Sequence, residues 1–355
     1  VSVVYERAFA KQLSKACEEL GKKLTGHVLF EESPFANVAF QANPFRILKH
    51  FQLPGIDLLS NKLENIDLYG HKLPLSVAFL NNRGWIMTET SDFAEHRFGE
   101  KKSATPEQMA SALSYQFLLG VRSFSYYYDF RVKEPEGYRW VNELLGRMCA
   151  YSKEWKFKPQ VALYCPYETI WSGFVPSNKP FPQPLKQQPA YVKKAESSTL
   201  ALTDELFARN IQFILCDGSS LTQLEKYGIR KLVLPEAPVV AQELVETVLQ
   251  GQLDLYGASP EFSYRKGHLA AVPELVVNSL AALKEELRFE YDKTLRFAAF
   301  EDDNYYFFNP SQEEEHLVIK EKAKVYDPIL NLQQQKARDS QLLIKPGQGL
   351  FASFK

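Results

Sequence analysis

Short apolar runs alternate with helix-patterned stretches up to about residue 287, and from residue 288 the pattern switches to period two. A chain with that order is predicted to form parallel strands joined by helical crossovers, followed by an antiparallel sheet. The first helix spans residues 3–20, with Val4, Ala8, Leu13, Ala16, Cys17 and Leu20 at helical spacing, and Gly21 fits its C-terminal cap. Leu24–Phe30 reads as a strand that ends at Glu31-Glu32. A helical stretch, Pro44–Phe51, leads to a second strand, Leu53–Leu59, with Asp57 near its end. A helix over Leu73–Asn81 leads to a third strand, Gly84–Glu89. Thr105 as N-cap and Pro106 at the first helical position open a helix that runs to about Leu119. The fourth strand is Val121–Tyr128.

Four such strands are half of a closed eight-stranded barrel, which takes about 250 residues. Residues 1–140 are therefore either a small open α/β domain or part of a barrel. Residues 141–287 read as a second α/β unit. It opens with a helix bearing Leu144, Leu145 and Met148, and its strands are Val161–Cys165, Gln212–Cys216, Lys231–Leu234 and Leu253–Tyr256. The Pro- and Gln-rich stretch Ser177–Pro189 reads as a loop or insertion. Residues 288–355 read as a small antiparallel β-sandwich of short strands separated by turns such as Asp302-Asp303-Asn304 and Pro346-Gly347.

Composition narrows the functions. The formal net charge is −1, so no basic field favours nucleic acid as a partner. No apolar run approaches the roughly 20 residues of a membrane-spanning helix. The start, Val1-Ser2-Val3-Val4, is neither a signal peptide nor an initiator methionine, so we expect the chain to begin inside a longer protein, with any targeting signal upstream. Cys17, Cys149, Cys165 and Cys216 form no C-x-x-C pair, which argues for buried thiols over zinc or a disulfide framework. Cys165 and Cys216 stand at strand ends, but their neighbours lack the glycines of a nucleophile elbow.

The chemistry-bearing residues gather at strand ends. They are His27 with Glu31 and Glu32, Asp57, Glu89 with Asp92, and Tyr126, Tyr127 and Tyr128 with Asp129; Trp85 stands in the run that ends at Glu89. A parallel barrel puts the C-terminal ends of its strands on one face, so these groups can converge there. Carboxylates supply the acid, base or nucleophile of glycosidic cleavage, and Trp and Tyr offer flat faces to sugar rings. Plain alternatives stand beside each. Glu89 fits a helix-capping or solvated loop acid, Glu31-Glu32 an exposed pair, Asp57 a turn residue, His27 a core histidine and the tyrosines packing.

The order of motifs carries a resemblance. Leu20-Gly21-Lys22-Lys23-Leu24-Thr25-Gly26-His27, then Pro54-Gly55-Ile56-Asp57, then Met87-Thr88-Glu89 resembles the second half of the catalytic barrel of bacterial glycoside hydrolases of the α-L-rhamnosidase type, with β-galactosidase-like relatives. Tyr306-Phe307-Phe308-Asn309-Pro310-Ser311 and Val325-Tyr326-Asp327-Pro328 resemble the β-sandwich modules of such enzymes. The resemblance implies strands five to eight of a (β/α)8 barrel, then a flavodoxin- or amidotransferase-like α/β domain without its nucleophile, then a sandwich. It implies an O-glycosyl hydrolase acting on an oligo- or polysaccharide, periplasmic or extracellular. Glu89 would be nucleophile or base, with the general acid on a strand upstream of Val1. His27, Glu31, Glu32, Asp57, Trp85, Asp92, Tyr126 and Tyr128 would bind substrate. No cofactor is expected. Calcium is the one candidate metal, for which Glu31, Glu32 and Asp57 are suitable oxygen donors and His27 is a poor one. A β-galactosidase-like hydrolase and a non-catalytic carbohydrate-binding module remain the alternatives.

Overall fold

The structure, a computed structural model, describes residues 2–98, 104–128, 135–177, 184–266, 268–284 and 287–354. Asp129 lies outside them. The fold is mixed α/β, with parallel and antiparallel sheets. It divides into two compact units, neither of them continuous in sequence. The first gathers residues 1–56, 68–83 and 159–284, and the second residues 57–67, 84–158 and 285–355.

Four parallel strands open the chain. β1 (Thr25–Gly26) pairs with β2 (Leu53–Leu58), Thr25 beside Leu53, and β3 (Ile86–Thr90) pairs with β4 (Val121–Tyr126). β1 is shorter than the predicted Leu24–Phe30, because Gly26 at φ +146° and Phe30 at φ +56° turn the backbone out of the extended region. Local capping follows the sequence closely. Ser33 and Asn43 cap the helices Pro34–Gln41 and Pro44–Leu48, each with Pro at the first position. Thr105 and Gln108 close a reciprocal capping box at the start of Pro106–Leu118. One helix departs from expectation. It begins at Leu68, not Leu73, and runs through Pro74 to Leu80. A proline there costs about 3 kcal/mol. The helix is buried on nearly every side, from Tyr69 to Ala78, and that burial outweighs the penalty.

β5 (Val161–Tyr164), β6 (Phe213–Cys216), β7 (Lys231–Leu234), β8 (Val239–Ala241), β9 (Asp254–Gly257), β10 (Phe262–Arg265), β11 (His268–Ala271) and β12 (Val277–Asn278) complete the first unit. Five of them form one parallel sheet in the order β12-β9-β7-β5-β6. Counted from its own first strand this is the 2-1-3-4-5 order of flavodoxin-like sheets. β5 and β6 are buried at every position, which is why they read as continuous apolar runs. The remaining three, β8, β10 and β11, make a small mixed sheet.

In the second unit β13 (Phe289–Tyr291), β14 (Arg296–Phe300), β15 (Asn304–Phe308), β16 (Glu315–Ile319), β17 (Ala323–Asp327), β18 (Leu332–Lys336), β19 (Ser340–Ile344) and β20 (Gly349–Ser353) form two antiparallel sheets, β14-β15-β20-β17-β18 and β13-β16-β19. Between them lies a core of Phe297, Tyr305, Phe307, Leu317, Ile319, Val325 and Leu350. The opposite parity of the larger sheet is buried too. Phe117 on the helix Pro106–Leu118 meets Tyr306 and Phe351, at ring distances of 5.0 and 5.7 Å. Tyr151, ending the helix Pro135–Tyr151, stacks on Tyr326 at 4.4 Å. The larger sheet is thus covered on both faces, on one of them by the helices that flank β4, which makes these strands and helices one body.

Candidate active site

Register decides which side chains share a face. In a parallel ladder a carbonyl accepts from the residue after its neighbour. Tyr127 N donates to Thr90 O at 3.0 Å, in keeping with the Thr90–Tyr126 pairing. By the same rule Ser91 N on Leu58 O, at 3.1 Å, sets Leu58 beside Thr90 and Asp57 beside Glu89. Glu89 in turn pairs with Ser125. Side chains alternate between faces along a strand. One face therefore carries Asp57, Met87, Glu89, Ser123 and Ser125, with Tyr127 continuing it just beyond β4. Asp57 and Glu89 are half-buried, while Ser125 and Tyr127 are exposed. Two carboxylates, a hydroxyl and an aromatic ring thus stand together at the C-terminal ends of three strands.

The other predicted residues lie elsewhere. Tyr126 has the opposite parity and faces the helix Pro135–Tyr151, where its hydroxyl donates to Asn142 Oδ1 at 2.8 Å and its ring stacks on Tyr138. Tyr128 is 1% exposed, sets its ring edge against Tyr126, and has its hydroxyl pKa raised by burial. Both tyrosines pack; Tyr127 is the one on the Glu89 face. Trp85 precedes β3, at the strand's other end from Glu89. Its ring meets Phe300 edge-on and lies under the Arg122 guanidinium at 4.2 Å. Arg122, also over the Phe117 ring at 3.4 Å, has its pKa lowered to about 9 by burial.

Asp92 is 2% exposed, accepts from the Ala104 amide at 2.9 Å and lies 3.1 Å from His96 Nε2. It lines a cavity of roughly 570 Å³ with Glu95, Lys62 and Tyr115, among others, and neither Asp57 nor Glu89 is part of that lining. Glu95, which sequence reasoning missed, accepts from the Ser60 hydroxyl and the Asn61 amide. It sits on the face of a short helix one turn after Asp92, and that spacing was its only signal.

His27, Glu31 and Glu32 belong to the first unit. His27 Nδ1 is 3.0 Å from Glu31 Oε1. Glu31 is 3% exposed, and burial raises its pKa while His27 opposes the rise. Glu32 is exposed. Among the described residues no group of three or more His, Cys, Asp or Glu could hold a metal ion. No step is assigned to calcium. Cys165 is fully buried and its thiol pKa is pushed up to about 12, and burial raises that of Cys216 as well; neither is a poised nucleophile.

No protein-family model and no curated protein sequence matches the chain. Solved structures do. A rhamnosidase from Novosphingobium sp. PP1Y superposes with a TM-score of 0.66 at 12% identity, covering 99% of this chain and 39% of that one. A GH42 β-galactosidase from G. stearothermophilus, solved as a catalytic mutant, gives 0.64 at 11% identity over 99% of this chain and 68% of its own. A β-galactosidase from Bacillus circulans sp. alkalophilus gives 0.63 at 11% identity over 100% and 67%. The fold is one these structures share. The relationship is distant, and the chain spans well under half the length of the rhamnosidase. Among the described residues no helix is long and apolar enough to cross a membrane.

Proposed function

We propose that this chain is part of a glycoside hydrolase that cleaves O-glycosidic bonds in an oligo- or polysaccharide, most like an α-L-rhamnosidase, with β1–β4 as strands of its catalytic barrel. The observation that carries this reading is Asp57 beside Glu89 on one face, at the C-terminal ends of parallel strands. Glu89 is the nucleophile or general base, attacking the anomeric carbon or activating a water at an oxocarbenium-like transition state. Asp57 and Ser125 accept and donate hydrogen bonds to the sugar hydroxyls, and Tyr127 offers a ring face. A second carboxyl group, the general acid, protonates the leaving oxygen. The structural likeness to a rhamnosidase and to β-galactosidases supports the class, and the latter favour a β-galactosidase-like specificity as the second reading.

The test is a panel of aryl glycosides given to the full gene product and to the 355-residue chain. The full product is expected to turn over p-nitrophenyl α-L-rhamnoside faster than the β-D-galactoside, and the chain alone is expected to show little turnover. A full product inert to every glycoside in the panel would remove the reading.

A further inference from the structure

A second cavity, of roughly 380 Å³, lies in the first unit at the C-terminal ends of β5 and β6. In a 2-1-3-4-5 sheet the strand order reverses between the first and third strands, here β5 and β7, and this cavity borders that point at β5. Glu168 and Trp171 follow β5, Asp217 and Gly218 follow β6, and Tyr264, Arg265 and Lys266 come from β10 and its turn. We propose that this cavity is a second ligand site of the chain, taking a small zwitterion with a primary ammonium at one end and a carboxylate at the other, the chemistry of an α-amino acid.

The ammonium end is set by Glu168. The residue is 7% exposed, Tyr164 donates to Oε2 at 2.6 Å, the carboxylate also accepts from the Glu168 backbone amide, and no other side chain among the described residues donates to it. With about four acceptor sites, the carboxylate keeps capacity for a further donor. Burial pushes the Glu168 pKa up to about 7, as expected of a buried carboxylate with no cation beside it. An ammonium would supply that cation, and the half-buried Trp171 and Tyr264 line the same cavity with aromatic rings. Asp217 is not the acceptor, because Asn43, Ser219 and Ser220 already donate to it at 2.7–2.9 Å. Gly218 keeps the approach clear. A Cβ there would stand 2.5 Å from the Ala241 Cβ and 3.0 Å from Glu168 Oε1.

The carboxylate end is set by the cations. Arg46 lines the cavity, and its Nε is buried with no hydrogen-bond partner among the described residues, although its Nη1 lies 3.5 Å from Glu6. Arg265 and Lys266 stand exposed at the rim, Arg265 within 3.4 Å of Glu246. Glu243 adds one negative charge to the lining. Acid within and cations at the edge fit a ligand with both charges better than a simple amine or a simple acid.

The experiment is titration calorimetry of the intact chain with the common α-amino acids, one at a time, then with the amine and the carboxylic acid that each correspond to half of the tightest binder. At least one amino acid is expected to bind with Kd of about 1 mM or below. The half-ligands are expected to bind at least tenfold more weakly. Glu168→Gln keeps the Tyr164 contact and is expected to lose at least tenfold in affinity, and Arg46→Met, which leaves the buried carboxylate untouched, about fivefold. Glu89→Gln is expected to leave binding unchanged, so the result is independent of the glycosidase reading. Absence of saturable heat for every amino acid up to ~10 mM would overturn the proposal. So would wild-type affinity in both Glu168→Gln and Arg46→Met, or an amine that binds as tightly as the amino acid.

Discussion

Glu89→Gln is expected to lower kcat of the full gene product on its best aryl glycoside by about 10⁴-fold, with KM changed by less than about threefold. Glutamine keeps the size and one acceptor of glutamate but cannot carry the negative charge that meets the oxocarbenium-like carbon. The loss therefore falls on the transition state and not on ground-state binding. Asp57→Asn is the informative comparison. Asp57 sits beside Glu89 on the same face, and in this account it holds the sugar and does not attack it. It is expected to raise KM and to lower kcat by about 10–100-fold. Steady-state kinetics on the two variants separates the roles. If Asp57→Asn were the inactive variant and Glu89→Gln the mild one, the assignments would be exchanged.

The second large effect concerns stability. Lys72 is 5% exposed within the first unit, its Nζ 3.4 Å from the Phe213 carbonyl and 4.6 Å from the Phe213 ring. Burial pulls its pKa from 10.5 down to about 7. A lysine whose folded value is depressed penalises the folded state wherever the unfolded chain holds the proton and the native one has lost it or carries it at a cost. Stability of this unit is therefore expected to rise as pH goes from about 7 to about 10, with a slope of up to ~1.4 kcal/mol per pH unit. Lys72→Met keeps the length of the chain and removes the charge. It is expected to stabilise the protein at pH 7 by roughly 2–4 kcal/mol, in line with the gain from replacing buried ions by apolar groups. It is also expected to flatten that rise. Urea unfolding of both proteins at pH 7 and pH 9 reads this directly. A variant less stable than the parent at pH 7, with an unchanged pH slope, would mean that the ammonium is held favourably.

Much of this was legible in the residues, and the limits of legibility have physical causes. The Thr105-Pro106-Glu107-Gln108 start of a helix is a local hydrogen-bonding device, and it forms as written. The buried strands β5 and β6 announce themselves because both faces are apolar. β18, Leu332–Lys336, does not, because it is an edge strand exposed along nearly its whole length and has no buried face to leave a pattern. The helix through Pro74 starts at Leu68 where local spacing points to Leu73, since propensity is local and burial is not. The strand-end carboxylates were visible, but their grouping was not. Whether Tyr126 or Tyr127 shares the face of Glu89 depends on a one-residue register, and register is set by pairing across strands. Trp85 was drawn to Glu89 by closeness in sequence, yet a strand five residues long keeps its two ends well apart. Glu168 is four residues from Tyr164 and closes a buried pair with it, a contact that nothing in the local sequence distinguishes from any other acid after a strand.

Chemical rescue tests whether Glu89 acts at the anomeric carbon. Glu89→Ala opens a space beside that carbon, and added azide can occupy it and react where the carboxylate or its activated water would have done. In the full gene product, azide is expected to raise the turnover of Glu89→Ala at least tenfold and to yield a glycosyl azide, while leaving Asp57→Ala unchanged. No rescue of Glu89→Ala, together with rescue of Asp57→Ala, would place the attacking carboxylate at Asp57 instead.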